Sequence, residues 1–83
     1  MLKIYSKKTC GYCTNLKTWL KNNGFEFEEI KVDEDPEALK FIKAQGHQTV
    51  PQVYLDDKLL VDGGYTGTVK LGAVALRELL KKV

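Results

Sequence analysis

The sequence predicts a single small α/β domain, residues 1–83, whose elements follow the order β-α-β-α-β-β-α. Three observations support this prediction: a chain too short for two cores, helical spacing of apolar residues in three segments, and two short apolar runs separated by a polar turn. Because a helix separates the first two strands, we expect them to be parallel with a right-handed crossover. The later hairpin should add an antiparallel edge.

The first half of the chain contains two predicted strands and one helix. Residues 2–5 are a short apolar run that favours a buried strand, and residues 11–23 carry apolar side chains at helical spacing. Gly24 is suited to the left-handed position after a helix. Residues 25–32 alternate as a strand does, but the phase slips by one at Glu28-Glu29. Either a bulge lies there, or the strand begins near Glu28 and the two preceding phenylalanines pack separately.

The second half begins with a strong helix start, Asp35-Pro36-Glu37, which combines a capping Asp, Pro at the first helical position and an acid in the first turn. We expect this helix to run to about Gln45 and to end at Gly46, with inward-facing Ala38, Leu39 and Ile42. Residues 50–61 are predicted as a hairpin with a polar turn at 56–58. The spacing of apolar residues then predicts one last helix, from Thr66 or Thr68 to residue 83.

Composition excludes several classes of protein. The 13 basic residues are interspersed with 11 acidic ones, only one is Arg, and the net charge is +2, so we expect no nucleic-acid partner. No apolar run approaches the ~20 residues of a membrane span, and the first residues lack the features of a signal peptide. We therefore expect a cytoplasmic monomer with no membrane association.

The two cysteines, in the segment Cys10-Gly11-Tyr12-Cys13, are unsuited to stapling the fold. A disulfide across so short a loop contributes only ~2 kcal/mol by the chain-entropy formula, against ~3 kcal/mol for a 15-residue loop. Zinc is also disfavoured, because His47 has no second His at metal spacing to complete four ligands. The pair is better interpreted as thiols placed for reversible chemistry, with no metal site.

The position of the pair at a predicted helix start suggests separate roles. Cys10 would face unpaired backbone N–H groups and the positive end of the helix dipole, and Lys7 and Lys8 add positive charge. We therefore expect Cys10 to be the partly exposed attacking thiolate. Cys13 would lie one turn inside the helix, more buried, where it can resolve a mixed disulfide formed at Cys10.

Three motifs together resemble the glutaredoxin family: Lys7 to Cys13 after a first strand, Thr49-Val50-Pro51-Gln52-Val53 before a hairpin, and Gly63-Gly64 after it. The resemblance implies a thioredoxin-like fold, a four-stranded mixed sheet with three helices. It also implies glutathione as co-substrate in the reduction of protein disulfides and glutathione mixed disulfides. Ribonucleotide reductase is one such protein partner of glutaredoxins.

The resemblance also implies a set of site residues. Cys10 becomes the nucleophile, Cys13 the resolving thiol, and Pro51 the family's cis-proline, which presents the backbone of Val50 to an extended substrate. The implied glutathione-binding residues are Lys7, Tyr12, Gln48, Thr49, Val50, Pro51, Gly63, Gly64, Tyr65 and Thr66. Some have simpler alternatives: Tyr12 as a helix-face aromatic that packs on the core, Lys7 and Gln48 as polar loop residues without a ligand, and His47 as a bystander instead of a cation near Cys10.

Two departures from the family pattern leave alternatives open. Gly11 stands where many glutaredoxins have Pro, and the run Gly63-Gly64-Tyr65-Thr66-Gly67 lacks the acid that often follows the glycines, although Thr66 could cap the helix. One alternative is a redoxin that thioredoxin reductase recharges. The other is a binding protein that holds an iron–sulfur cluster between two chains through Cys10 and glutathione.

Overall fold

The computed structural model describes residues 2–81. The predicted start of the domain at Met1 and the predicted end of the last helix at residue 83 lie outside the described residues. Four strands form one mixed sheet in the order β2-β1-β3-β4, with β1 and β2 parallel and the other pairs antiparallel. The predicted α/β class and sheet are thereby confirmed. The elements are β1 (Leu2–Ser6), α1 (Gly11–Asn22), β2 (Glu28–Lys31), α2 (Pro36–Ala44), β3 (Gln52–Leu55), β4 (Lys58–Val61), α3 (Gly64–Leu71) and α4 (Ala73–Lys81).

The end of the chain differs from the prediction of one last helix. Within residues 2–81 two helices occupy this region, α3 and α4, and the first begins at Gly64 instead of Thr66 or Thr68. Gly72 separates them with φ 89° and ψ 158°, a conformation that cannot continue a helix and that glycine adopts without a steric penalty. The apolar spacing continues across this break, which is why periodicity alone predicted a single helix. None of the helices in residues 2–81 has both the length and the apolar character needed to cross a membrane.

The phase slip near Glu28 reflects a late strand start, not a bulge. Strand β2 covers only Glu28–Lys31, and Phe25 and Phe27 pack against the core before it begins. The ring of Phe25 stacks on Trp19 at 6.1 Å, and the guanidinium of Arg77 lies 5.2 Å from the same ring. These contacts dock the turn after α1 onto α4.

Alternation along the strands divides the core between the two faces of the sheet. Leu2 and Ile4 face a cluster with side chains of α1 and α4. Tyr5 and Tyr54 face the other way, against α2. Asp35 caps α2 as predicted, accepting from the N–H groups of Glu37 and Ala38. The inward position predicted for Leu39 is wrong: Ala38 and Ile42, four residues apart, fill the buried face, and Leu39 is 37% exposed beside it.

A partly buried hydrogen bond and an ion pair join β1, β2 and α1 just before the cysteine loop. The hydroxyl of Ser6 donates to Glu29 at 2.8 Å, and Lys17 lies 2.7 Å from the same carboxylate oxygen. Burial alone would raise the pKa of Glu29, but the hydrogen bonds from Lys17 and Ser6 outweigh it and hold this pKa below its ordinary value. The ionised carboxylate therefore stabilises the folded chain.

We expect Glu29→Gln to lower the free energy of unfolding by about 1 kcal/mol at neutral pH. The pKa of Glu29 is lowered in the folded protein. Its contribution to the free energy of unfolding is therefore complete at a pH above about 4.3, the pKa of Glu in the unfolded chain, and is lost as the pH falls through the lower pKa of the folded protein. Urea denaturation between neutral and acid pH measures this. The difference from the unmodified chain should shrink on acidification, whereas the exposed control Glu78→Gln should differ little at any pH. A difference that stays constant with pH would contradict the ionic account.

Candidate active site

Cys10 is the N-cap residue of α1, as its sequence position predicts. Its backbone is extended, with φ −126° and ψ 109°, and its Sγ accepts a hydrogen bond from the N–H of Cys13 at 3.2 Å. The thiol of Cys10 also contacts the carbonyl oxygen of Val50 at 3.7 Å, although the two residues are far apart in sequence. Half-buried Cys10 is thus accessible to another thiol compound.

Cys13 has the opposite environment. It lies one turn inside α1, and its side chain is 1% exposed. Burial and the hydrogen bond with Cys10 raise the pKa of Cys13 to about 12, and the nearby backbone N–H of Lys7 offsets only part of this rise. Both cysteines are free thiols, so the pair can supply two electrons and two protons to a disulfide and become a disulfide itself.

A groove of about 590 Å³ opens beside the cysteines, and we call it the ligand groove. Pro51, at its centre, is buried and follows a cis peptide bond, as the resemblance implied. The groove contains every residue of the implied glutathione-binding set except Lys7, which lies in a neighbouring groove. Its lining consists of Tyr12, residues 46–52 and residues 62–66.

Glycines allow the start of α3 to lie against the proline loop. Gly64 has φ 58°, and a Cβ at this position would lie 2.6 Å from the carbonyl oxygen of Pro51. A Cβ on Gly67 would collide with the carbonyl oxygen of Asp62. The predicted capping role of Thr66 is wrong, because Gly63 is the N-cap and no side chain caps α3. Its first N–H groups therefore have no side-chain acceptor at the edge of the groove.

Two tyrosines form an aromatic wall of the ligand groove. Tyr12 on α1 is 63% exposed, which contradicts the alternative that it packs on the core. Its ring lies 6.1 Å from that of Tyr65 on α3, at an angle of 34°. Tyr65 also packs against the core, which leaves the exposed ring of Tyr12 available to a ligand.

Four residues that line the ligand groove lie outside the implied glutathione-binding set, and two of them, Asp62 and His47, have ionisable side chains. Asp62 lies directly before Gly63-Gly64, whereas the family pattern often has its acid after the glycines. His47 also lines the groove, and its Nε2 lies 2.6 Å from the hydroxyl of buried Tyr54. The position of Asp62 next to Gly63-Gly64 could have indicated its place in the groove. The contact between His47 and Tyr54 could not be predicted from the sequence, because it depends on the fold.

A smaller groove of about 200 Å³ adjoins the ligand groove, and we call it the basic groove. It lies between α2 and the loop after β1, and it shares residues 47–50 with the ligand groove. Lys7 lines only this groove, whereas Gln48, Thr49 and Val50 of the implied glutathione set line both grooves. The other lining residues are Val32, Leu39, Ile42 and Lys43.

Comparisons with known proteins agree with this geometry. The family model for glutaredoxin matches residues 2–60. Glutaredoxin 3 of Escherichia coli strain K12 is 38% identical over 56 residues, which cover 66% of this chain and 68% of that protein. Among solved structures, the holo form of glutaredoxin C1 from Populus tremula x tremuloides has a TM-score of 0.77 and 27% identity, covering 98% of this chain and 76% of its own. The glutaredoxin-like protein NrdH-redoxin of Escherichia coli has a TM-score of 0.63 and 39% identity, and the match covers 65% of this chain and 71% of that protein.

We expect iodoacetamide to modify Cys10 and spare Cys13 in the reduced protein. Burial raises the pKa of the Cys13 thiol far above pH 8, so it is protonated there, and its side chain is inaccessible to the reagent. Mass spectrometry of digested protein should find one modification, at Cys10, after brief treatment. Urea-unfolded protein is the control and should be modified at both positions. Equal labelling of both cysteines in the folded protein would contradict the assigned environments.

Proposed function

The chain belongs to the glutaredoxin family of thiol–disulfide oxidoreductases, and we propose that it reduces protein disulfides and glutathione mixed disulfides with glutathione as its reductant. The observation that carries this proposal is the juxtaposition of an accessible Cys10 with the ligand groove. One backbone atom, the carbonyl oxygen of Val50, belongs to the groove wall and contacts the Cys10 sulfur at 3.7 Å. A tripeptide thiol in the groove would hold its sulfur next to Cys10.

The proposed reaction proceeds by two exchanges of thiol for disulfide. The Cys10 thiolate attacks one sulfur of the substrate disulfide, which forms a mixed disulfide at Cys10 and releases the other sulfur as a thiolate. Cys13 then attacks the Cys10 sulfur, transfers its proton to the departing thiolate, and closes the Cys10–Cys13 disulfide. The substrate has gained two electrons. Two glutathione molecules restore both thiols and leave as one glutathione disulfide.

The ligand groove offers partners for the charged groups of glutathione, which has two carboxylates and one ammonium group. In our proposal the carboxylate of Asp62 pairs with the ammonium. The N–H groups at the start of α3, which no side chain caps, bind one carboxylate, as helix N-termini commonly do. Lys7, at the junction with the basic groove, reaches the second carboxylate. The backbone of Val50 pairs with the extended peptide.

A redoxin recharged by thioredoxin reductase is the second candidate. Two observations favour it: the similarity to NrdH-redoxin, for which a thioredoxin-like activity profile is described, and the lack of an acid in Tyr65-Thr66-Gly67. Both candidates use the same exchange at Cys10 and differ only in the reductant. Either could serve ribonucleotide reductase as a hydrogen donor.

Replacing each cysteine separately tests the assigned roles. Cys10→Ser should abolish reduction of every disulfide, because no other accessible thiolate lies at the groove in the described chain. Cys13→Ser should keep much of the reduction of small glutathione mixed disulfides, which needs only Cys10, and lose most of the reduction of protein disulfides. Turnover of a small mixed disulfide and of a disulfide protein gives the two rates. Activity near the unmodified level in Cys10→Ser would disprove the mechanism.

The reductant is tested by supplying either glutathione with glutathione reductase or thioredoxin reductase, each with NADPH. We expect sustained turnover with glutathione, and about a tenfold higher KM for glutathione in Asp62→Asn, because a charge-assisted contact to the ammonium is lost. Asp57→Asn, an equal charge change in the hairpin turn, should leave this KM unchanged. Sustained turnover with thioredoxin reductase and none with glutathione would favour the redoxin and reject glutathione dependence.

A further inference from the structure

The basic groove has a uniform charge. Each ionisable side chain in its lining is a basic residue: Lys7, Lys43 and His47. Among residues 2–81, neither lysine forms an ion pair. The nearby acids have other partners, because Asp33 accepts a hydrogen bond from the Lys8 backbone and Glu34 lies 3.9 Å from Lys31. Two exposed ammonium groups are thus available to an anionic ligand.

The floor of the basic groove is apolar. Val32 and Ile42 are buried beneath it, and Leu39 reaches it with 37% of its surface exposed. This combination fits a polypeptide segment that carries an acidic side chain next to an apolar one. Glutathione has no apolar side chain to cover Leu39. The chemistry of the groove therefore favours a segment of a protein over the tripeptide.

The basic groove is also continuous with the reactive sulfur. Val50 lines both grooves, and its carbonyl oxygen is the atom that Cys10 contacts at 3.7 Å. At the shared wall, His47 is held against the buried hydroxyl of Tyr54 at 2.6 Å. A substrate chain joined to Cys10 through its own cysteine therefore has two directions open to it, along the ligand groove or into the basic groove.

We infer that the basic groove binds an acidic, partly apolar segment lying within a few residues of the substrate protein's reactive cysteine. Lys43 is its main specificity residue, since Lys7 also stands beside the ligand groove. The inference rests on the proposed reduction of protein disulfides. It adds that this chain prefers protein disulfides with acidic surroundings, and that the preference resides in α2 and not in the cysteine pair.

Two synthetic peptides test the inference. Each contains one intramolecular disulfide, and the residues flanking it are Glu and Leu in one peptide and Gln and Leu in the other. Pre-reduced protein is mixed with excess peptide and followed for a single turnover, so recharging by any reductant does not contribute. The quantity compared among variants is the ratio of the rate constants for the acidic and the neutral peptide.

We expect the unmodified chain to reduce the acidic peptide about three- to tenfold faster at an ionic strength of about 0.02 M, and this ratio to approach one at about 0.5 M. Lys43→Glu should bring the ratio to one or below. Lys40→Glu is the matched control: it makes the same charge change on an exposed residue of the same helix, outside the groove, and should keep most of the preference.

Several results would overturn the inference. A ratio of one in the unmodified chain, with both peptides reduced, would reject the docking site and leave the proposed function standing. If Lys43→Glu and Lys40→Glu lowered the ratio of the two rate constants equally, the preference would come from the overall charge of the protein and not from the basic groove. A higher KM for glutathione in Lys43→Glu, with the peptide ratio unchanged, would assign the groove to glutathione. No reduction of either peptide would instead contradict the proposed function itself.

Discussion

The hydrogen bond from the backbone N–H of Cys13 to the sulfur of Cys10 is the interaction on which the site depends. It makes a cysteine the cap of α1, a position usually held by Ser, Thr, Asp or Asn. The same geometry leaves the Cys10 sulfur accessible and buries Cys13 one turn further on. Opposite thiol environments thus follow from one helix start.

This helix start is held in place by contacts distant in sequence. The end of β1 is tied to β2 and α1 through Ser6, Glu29 and Lys17, directly before the cysteine loop. On the other side, β3 pairs with β1 and brings Val50 and Pro51 to Cys10. The sheet therefore decides which backbone atoms border the reactive sulfur. A chain with the same cysteine segment but another sheet order would have a different groove.

Two features shape the grooves beside the cysteines. The glycines before and within α3 let that helix lie close to the backbone of the proline loop at one side of the ligand groove. The carboxylate in the groove comes from Asp62, before the glycines, while the basic side chains gather on the α2 side. A separation of charge between the two grooves follows. This arrangement fits the proposed reductant, a tripeptide with an ammonium group, and the proposed protein disulfide substrates.

Much of the fold and of the site was predictable from local patterns. The strand and helix order, the Asp35 cap and the reactive pair depend on residue spacing and helix-terminal chemistry, which neighbours in sequence determine. Other features could not be predicted in this way. The helix break at Gly72 could not be predicted because the helical spacing of apolar residues continues across it. Leu39 fits the apolar spacing of α2, but it lies beside the buried face of that helix and is 37% exposed.

The sequence by itself determined the class of the domain, the position of the thiols at a helix start and the type of chemistry they can perform. Only the tertiary structure decided which groove each side chain joins. Lys7 lines the basic groove together with Lys43, and Asp62, which was not among the expected site residues, lines the ligand groove. The physical reason is that helix starts and strands arise from local interactions. A groove is formed by segments far apart in sequence, and its lining depends on how the sheet and helices pack.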